Sequence, residues 1–171
     1  MHTINRVYDS LLKQNHCLFE WLIIDDGSTD STKSYVNKIK EDSPFIIRYK
    51  YQINGGKHRA HNTGVKMAKG LLTIILDSDD QLIKDGIEVI WAGWNSIPIK
   101  KRKQYVGIWS NCVNQNGVKI GKEIKRPFLD GNLFNLIHNN IITGEKLPCF
   151  RTEILKNHPY PTKKIVMSMC L

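Results

Sequence analysis

An apolar run empties directly into acid: Leu71-Leu72-Thr73-Ile74-Ile75-Leu76 is followed by Asp77-Ser78-Asp79-Asp80, three carboxylates in four residues. A short apolar run with β-branched residues, starting after Gly70, reads as a buried strand. In open α/β sheets ligands bind beyond the carboxyl ends of the strands, so this strand end is a candidate site. Alternate residues of an extended segment point the same way, which would let Asp77 and Asp79 share one cation. Hard oxygen donors in that arrangement suit Mg²⁺ or Mn²⁺, held jointly with substrate phosphates. The plainer alternative is an acidic turn or helix cap.

The residues before it build the same kind of unit twice. Ile4, Val7, Tyr8, Leu11 and Leu12 follow helical spacing over residues 3–14, with Thr3 as a candidate cap. Phe19-Glu20-Trp21-Leu22-Ile23-Ile24 reads as a strand ending in Asp25-Asp26-Gly27-Ser28-Thr29-Asp30-Ser31-Thr32, where Ser28, Asp30 or Ser31 would cap a helix running to about Lys40. Residues 45–51 alternate as a strand. Then Asn54-Gly55-Gly56-Lys57 leads into a basic helix reaching Lys69. Paired glycines before a helix start make a candidate phosphate cradle, to which Lys57 adds a full charge. A Gly-Gly turn before a solvated surface helix is the alternative. Alternating helices and strands imply an α/β fold with a mostly parallel sheet flanked by helices. In such a sheet the two acidic strand ends and the basic junction fall on one edge.

The chain has 171 residues, enough for one domain, and a formal net charge of +9. That charge favours anionic partners: nucleotides, nucleic acid or an anionic membrane surface. Nucleic acid is not expected, because aromatic residues do not interleave with the basic ones as stacking platforms would. Lys100-Lys101-Arg102-Lys103 reads as a basic loop, either simply solvated or weakly attracted to an anionic membrane. No stretch approaches the ~20 apolar residues of a membrane span and no signal peptide stands at the start, so the expected location is cytoplasmic, with the inner membrane face as an option. Cys17, Cys112, Cys149 and Cys170 are scattered without a CxxC pair, which argues for free thiols and against zinc. The histidines at 58, 61, 138 and 158 have no ligand spacing.

In the second half, residues 85–95 predict a helix with Ile87, Ile90, Trp91 and Trp94 on one core-facing side. Residues 105–113 and 118–120 flank an Asn-Gly turn and predict a hairpin. Residues 130–138 predict a short helix, residues 147–150 a last strand and residues 152–156 a last helix.

Taken in order, the segments from Phe19 to Thr32, from Asn54 to Asn62 with Gly64, Ala68-Lys69-Gly70, and Leu76 to Asp80 resemble family 2 glycosyltransferases, an inverting group with the GT-A fold. The resemblance covers about residues 4–90. Beyond residue 100 it is fainter, with Thr143-Gly144-Glu145-Lys146 and Phe150-Arg151-Thr152-Glu153 similar to the bacterial branch. It implies a nucleotide-diphosphate-sugar donor, most simply a UDP-sugar, a saccharide or lipid-linked acceptor, and a role in cell-surface polysaccharide synthesis. Asp25 or Asp26 would contact the base. Lys57, Asn62, Asp77 and Ser78 would complete the nucleotide-sugar site, and Asp77 and Asp79 would serve as the DxD pair holding Mg²⁺ or Mn²⁺. Residues 1–98 would form the nucleotide-sugar half of one domain and residues 99–171 part of the acceptor half.

Two departures from the family pattern carry expectations of their own. The family's first strand, which precedes the opening helix, has no counterpart here, so the sheet should show a gap, direct pairing of the strands at Phe19 and Leu71, or filling by another chain through self-association. The family's general base lies after the Phe150–Glu153 region, where Lys163 to Leu171 does not resemble it. No base is assigned, and Glu145 is the stand-in candidate beside the reading of a plain surface glutamate. The expected function is sugar transfer from a nucleotide sugar, with the chain as a fragment that is inactive on its own as an option. The alternatives are a nucleotide- and metal-binding remnant without turnover, and a nucleotidyltransferase.

Overall fold

In the computed structural model, residues 2–15, 18–122 and 129–162 are described. Cys17, Cys170 and the 163–171 tail lie outside them. The elements run α1 (His2–Leu12), β1 (Glu20–Asp26), α2 (Thr32–Asp42), β2 (Ile46–Gln52), α3 (Lys57–Met67), β3 (Leu72–Ile74), α4 (Gly86–Ser96), a 3-10 turn (Ile99–Gln104), β4 (Gly107–Asn111), α5 (Leu133–His138), β5 (Lys146–Arg151) and α6 (Thr152–Asn157). The chain is α/β, and its first half alternates as its hydrophobic periodicity predicts.

Two sheets share the work. β1 and β2 pair in parallel, from Glu20 opposite Ile46 to Asp26 opposite Gln52. β3, β5 and β4 form a second sheet in that order, with both pairings antiparallel. The strand after Gly70 therefore does not join the parallel pair. Of the three arrangements expected for the sheet, the chain shows the gap. β3 is also only three residues long and half-buried, rather than a fully buried strand. It ends at Ile74, opposite Cys149 of β5. The second sheet joins the two halves of the chain, since β3 comes from one and β4 and β5 from the other.

The main core lies between α1, α2 and one face of the parallel pair. Ile4, Val7 and Leu11 of α1 pack with Ile23, Val36, Ile39, Phe45 and Ile47. Leu76, Leu82 and Ile87 lean on the same cluster and so anchor the residues around the acidic turn. Polar groups on α1 and just past its end complete the anchor. Buried Ser10 accepts the Leu82 amide at 3.2 Å. Buried Gln14 donates to the Ile83 carbonyl at 2.9 Å and accepts from the Ile87 amide at 3.0 Å. Buried polar side chains persist when their hydrogen bonds are met, and these meet theirs across some 70 residues of chain.

Several local readings change. On α4, Ile90 and Trp94 are buried, whereas Trp91 is 41% exposed and leaves the core stripe. The Lys100–Lys103 run coils as a 3-10 turn instead of a loop, and Arg102 folds back over the Trp94 ring at 5.7 Å and onto the Ile97 carbonyl. The Asn-Gly turn forms, with Gly117 at φ +76, but the returning arm is a single bridge from Val113 to Lys119. α5 is capped by Asn132, not begun by Asp130, whose carboxylate takes the Tyr105 hydroxyl.

Candidate functional site

β1 delivers Asp25 and Asp26 to one point, and the two side chains part there because neighbours in a strand face opposite ways. Asp25 turns inward. It is 5% exposed and accepts the Ser28 amide and the Tyr49 hydroxyl. Burial opposes its charge, but the Tyr49 and Ser28 hydrogen bonds outweigh burial and hold its pKa below the usual carboxylate range. Burial, and then the same Asp25 contact, raise the Tyr49 phenol.

Asp26 turns toward the glycine pair. It accepts the Gln52 side chain at 2.7 Å, the Gly55 amide at 3.0 Å and the Gly56 amide at 2.7 Å. The Gln52 hydrogen bond is the largest influence lowering its pKa, with the two amides adding to it. The expected phosphate cradle is thus filled by the protein's own carboxylate. The physical reason is proximity: Gly27 at φ +94 folds the chain after β1 so tightly that a Cβ there would stand 2.9 Å from the Asn54 side chain. Asp26 fixes the start of α3, where Gly56, at φ +86, immediately precedes Lys57.

Lys57 then reaches across to the acidic turn. Its Nζ pairs with Asp77 Oδ2 at 2.6 Å, both side chains well exposed. That hydrogen bond raises the Lys57 pKa, and the charges of Asp77, Asp79 and Asp80 add to it. Asp77 to Asp80 form a turn closed by the Asp80 amide on the Asp77 carbonyl at 3.1 Å. The expected extended alternation is therefore absent. Asp77 and Asp79 are brought together by a turn and line the same groove, while Ser78 is exposed and stands off its wall.

The groove has a volume of about 1810 Å³ and is lined on one side by Lys57, His61 and the acidic turn. Its other lining comes from β4, the Asn114–Gly117 turn, Glu145 and the start of β5. Glu145 is exposed, and among the described residues no hydrogen bond orients its carboxylate. Among the described residues no group of three or more His, Cys, Asp or Glu side chains is gathered as a metal cluster.

Asn62, expected at the donor, is turned elsewhere. Its amide donates to the Tyr160 carbonyl and accepts the Tyr160 amide, both at 2.9 Å. Sequence reasoning missed Tyr160, Gln52, Ser10 and Gln14, all of which support or line the site. For Gln14 a signal existed, a polar residue that continues the Ile4, Val7, Leu11 spacing just past the end of α1. For Tyr160 there was none, because its contact spans 98 residues.

The acidic strand end, the glycine junction, Lys57 and the acidic turn thus meet at one end of β1, β2 and β3. Known proteins are similar to this chain in sequence. The model for Glycosyl transferase family 2 matches residues 2–141. A Rickettsia felis protein named an uncharacterized glycosyltransferase is 37% identical over 130 residues, 74% of this chain and 20% of its own length. Chondroitin synthase of Pasteurella multocida is 41% identical over 86 residues, 50% of this chain and 9% of its own. A UDP-Glc:α-D-GlcNAc-diphosphoundecaprenol β-1,3-glucosyltransferase of Escherichia coli is 31% identical over 118 residues, 64% of this chain and 46% of its own. The matched regions therefore span less than half of each of these relatives.

Among solved structures, a mannosyltransferase of Pyrobaculum calidifontis in complex with GDP-Man and Mn²⁺ superposes with a TM-score of 0.63 at 23% identity, over 94% of this chain and 44% of that one. TarS of S. aureus in complex with UDP superposes with a TM-score of 0.62 at 24% identity, over 93% of this chain and 46% of that one. These two likenesses establish the fold as that of GT-A glycosyltransferases. With the family model matched along residues 2–141, the chain belongs to glycosyl transferase family 2.

Proposed function

We propose that this chain carries the nucleotide-sugar site of a glycosyltransferase that moves a sugar from a nucleoside diphosphate sugar to an acceptor hydroxyl. The observation that carries the reading is the Lys57–Asp77 pair beside Asp79, set at the rim of a groove large enough for a sugar nucleotide and an acceptor. A nucleoside diphosphate needs a cation against its phosphates and donors around them, and this rim supplies both kinds of group.

Asp77 and Asp79 fit a divalent ion. They are exposed, hard oxygen donors on one turn, and two carboxylates leave the rest of an octahedral shell to diphosphate oxygens and water, as Mg²⁺ and Mn²⁺ prefer. When bound, such an ion neutralises the charge that builds on the departing diphosphate. Mn²⁺ accompanies the sugar nucleotide in the Pyrobaculum calidifontis neighbour, and UDP occupies the S. aureus one.

The chain's own residues supply the rest. Lys57 exchanges Asp77 for a phosphate oxygen, which keeps its charge paired throughout. Asp26 holds Gly55 and Gly56, so Lys57 starts from a fixed point. Asp25 and Asp26, whose carboxylates are engaged within the protein, would shape the base end of the site from behind rather than from the groove wall. Glu145, which lines the groove away from the acidic turn in sequence, would be the group that takes the acceptor proton.

The test is turnover. The protein is incubated with UDP-glucose or GDP-mannose, with and without Mn²⁺, and release of the nucleoside diphosphate is followed. Metal-dependent release that falls at least about tenfold in Asp79→Asn supports the reading. Release that ignores both metal and Asp79 removes it. A second reading, binding without turnover, is favoured by the unoriented Glu145 carboxylate. Tight UDP binding with no release, unchanged by Glu145→Gln, would select it. Pyrophosphate release from a nucleoside triphosphate would instead point to nucleotidyl transfer.

A further inference from the structure

We infer that Tyr160 is a stacking platform for a pyranose ring in the groove beside Lys57, and that Asn62 holds it there; this rests on the sugar-transfer reading above. Among the described residues, Tyr160 is the one Phe, Tyr or Trp that lines the groove. Its side chain carries no hydrogen bond of its own among the described residues, and the residue is 54% exposed. What sets this ring apart from other exposed apolar side chains is that it lines the groove.

The ring is nevertheless held. Asn62 clips the backbone of residue 160 at two points, amide to carbonyl and carbonyl to amide, both 2.9 Å. Pro159 and Pro161 flank it and limit its backbone freedom. His61 braces the ring edge-on, with centroids 4.7 Å apart and planes at 74°. Below this point Lys156 donates to the Ala68 carbonyl at 2.7 Å, so the segment is tied to α3 at two levels.

Position gives the ring its ligand. His61 follows Lys57 by one turn of α3, on the same helix face. The Tyr160 ring thus packs on α3 one helical turn after Lys57, the residue whose ammonium would meet the diphosphate, and both line the groove. A sugar attached to that diphosphate, or an acceptor sugar approaching it, falls in this range. Pyranoses present an apolar C–H face that packs on aromatic rings, and their hydroxyls would find polar side chains such as Gln115 and Asn116, which line the same groove. Donor and acceptor sugars share this chemistry, and the experiment separates them.

The backbone clip makes the test clean, because Tyr160→Ala removes the ring and leaves the clip. Titration calorimetry with UDP, UDP-glucose and GDP-mannose in the presence of Mn²⁺ reads the donor arm. Saturation-transfer NMR with methyl β-glucoside and N-acetylglucosamine, in the presence of UDP and Mn²⁺, reads the acceptor arm. Tyr160→Ala should keep UDP affinity within about twofold of the wild type and lose about five- to tenfold in sugar-nucleotide affinity or lose the saturation signal of the free sugar. Tyr160→Phe should behave as wild type, and Asn62→Ala, with the ring present but unclipped, should fall between. Equal behaviour of Tyr160→Ala and wild type in both arms overturns the inference while leaving the sugar-transfer reading standing. A parallel loss of UDP affinity would make Tyr160 a base or structural contact and overturn it too. If the wild type itself binds neither UDP nor a sugar nucleotide, the sugar-transfer reading fails and this inference with it.

Discussion

The two sides of the groove are built differently. On the β1/β2 side three carboxylates are held: Asp25 by Tyr49 and Ser28, Asp26 by Gln52 and two glycine amides, Asp77 by Lys57. The same side owns the whole main core cluster, from Ile4 to Ile47. On the β4/β5 side the buried apolar residues thin to a few such as Cys149 and Ile142, and Val118, Phe134, Ile137 and Ile141 are exposed. Glu145 stands there without an orienting partner among the described residues. The rim that would grip a charged diphosphate is preorganised, and the wall that would meet an acceptor is open. Fixed dipoles stabilise developing charge without having to reorganise, so preorganisation is most useful at the diphosphate end.

The largest effect that could break this contrast is on stability. Ile47→Ala, which empties a position buried between α1 and β2, should cost about 2–5 kcal/mol in chemical denaturation. Phe134→Ala on the open side should cost less than about 0.5 kcal/mol. Similar losses at both would erase the distinction. Next comes the α1 anchor. Gln14→Met strands the Ile83 carbonyl and the Ile87 amide and should cost about 1–3 kcal/mol, with a matching loosening of the acidic turn seen as faster amide exchange over residues 77–87. Stability lost without faster exchange there would separate the anchor from the site.

A smaller effect concerns affinity. Lys57→Met should weaken UDP binding about tenfold in calorimetry, because a charge-assisted contact to phosphate is lost. An unchanged affinity would mean that Lys57 stays with Asp77 and never serves the ligand.

The smallest effect is a pH dependence on the preorganised side. Burial of Glu20 opposes its charge, but the Arg48 side chain at 2.7 Å and the Lys69 amide overcome that and lower its pKa below 4.5. A carboxyl with a depressed folded pKa gives stability that is fully present above its unfolded value and is lost as pH falls through the folded one. Glu20→Gln should therefore be less stable than wild type by up to about 1 kcal/mol near pH 7, and the two unfolding curves should converge as pH drops below about 4. A difference that persists in acid would assign the loss to packing.

Much of this side was legible in the sequence because its signals are local. Apolar periodicity gave α1, β1 and β2, and the Asp-Asp-Gly and Gly-Gly-Lys pieces marked the strand end and helix start. What the sequence concealed was pairing. Nothing near Leu72 says that its partner is Arg151, because an antiparallel strand can come from any distance along the chain. The pairing left β3 short, and the acids beyond it fell into a turn where an extended segment was expected. Asp26 reads as a ligand contact until the Gly27 bend folds it onto Gly55 and Gly56. Tyr160 and Asn62 were hidden from each other by the 98 residues between them.

The account depends most on Asp77 and Asp79 gathering a divalent ion together with a nucleoside diphosphate beside Lys57. Electron paramagnetic resonance of Mn²⁺ titrated with the protein, with and without UDP, reads this directly. Weak binding of the ion alone, strengthened about tenfold or more by UDP and abolished in Asp79→Asn, is the predicted result. Mn²⁺ binding that is indifferent to both UDP and Asp79 would contradict it.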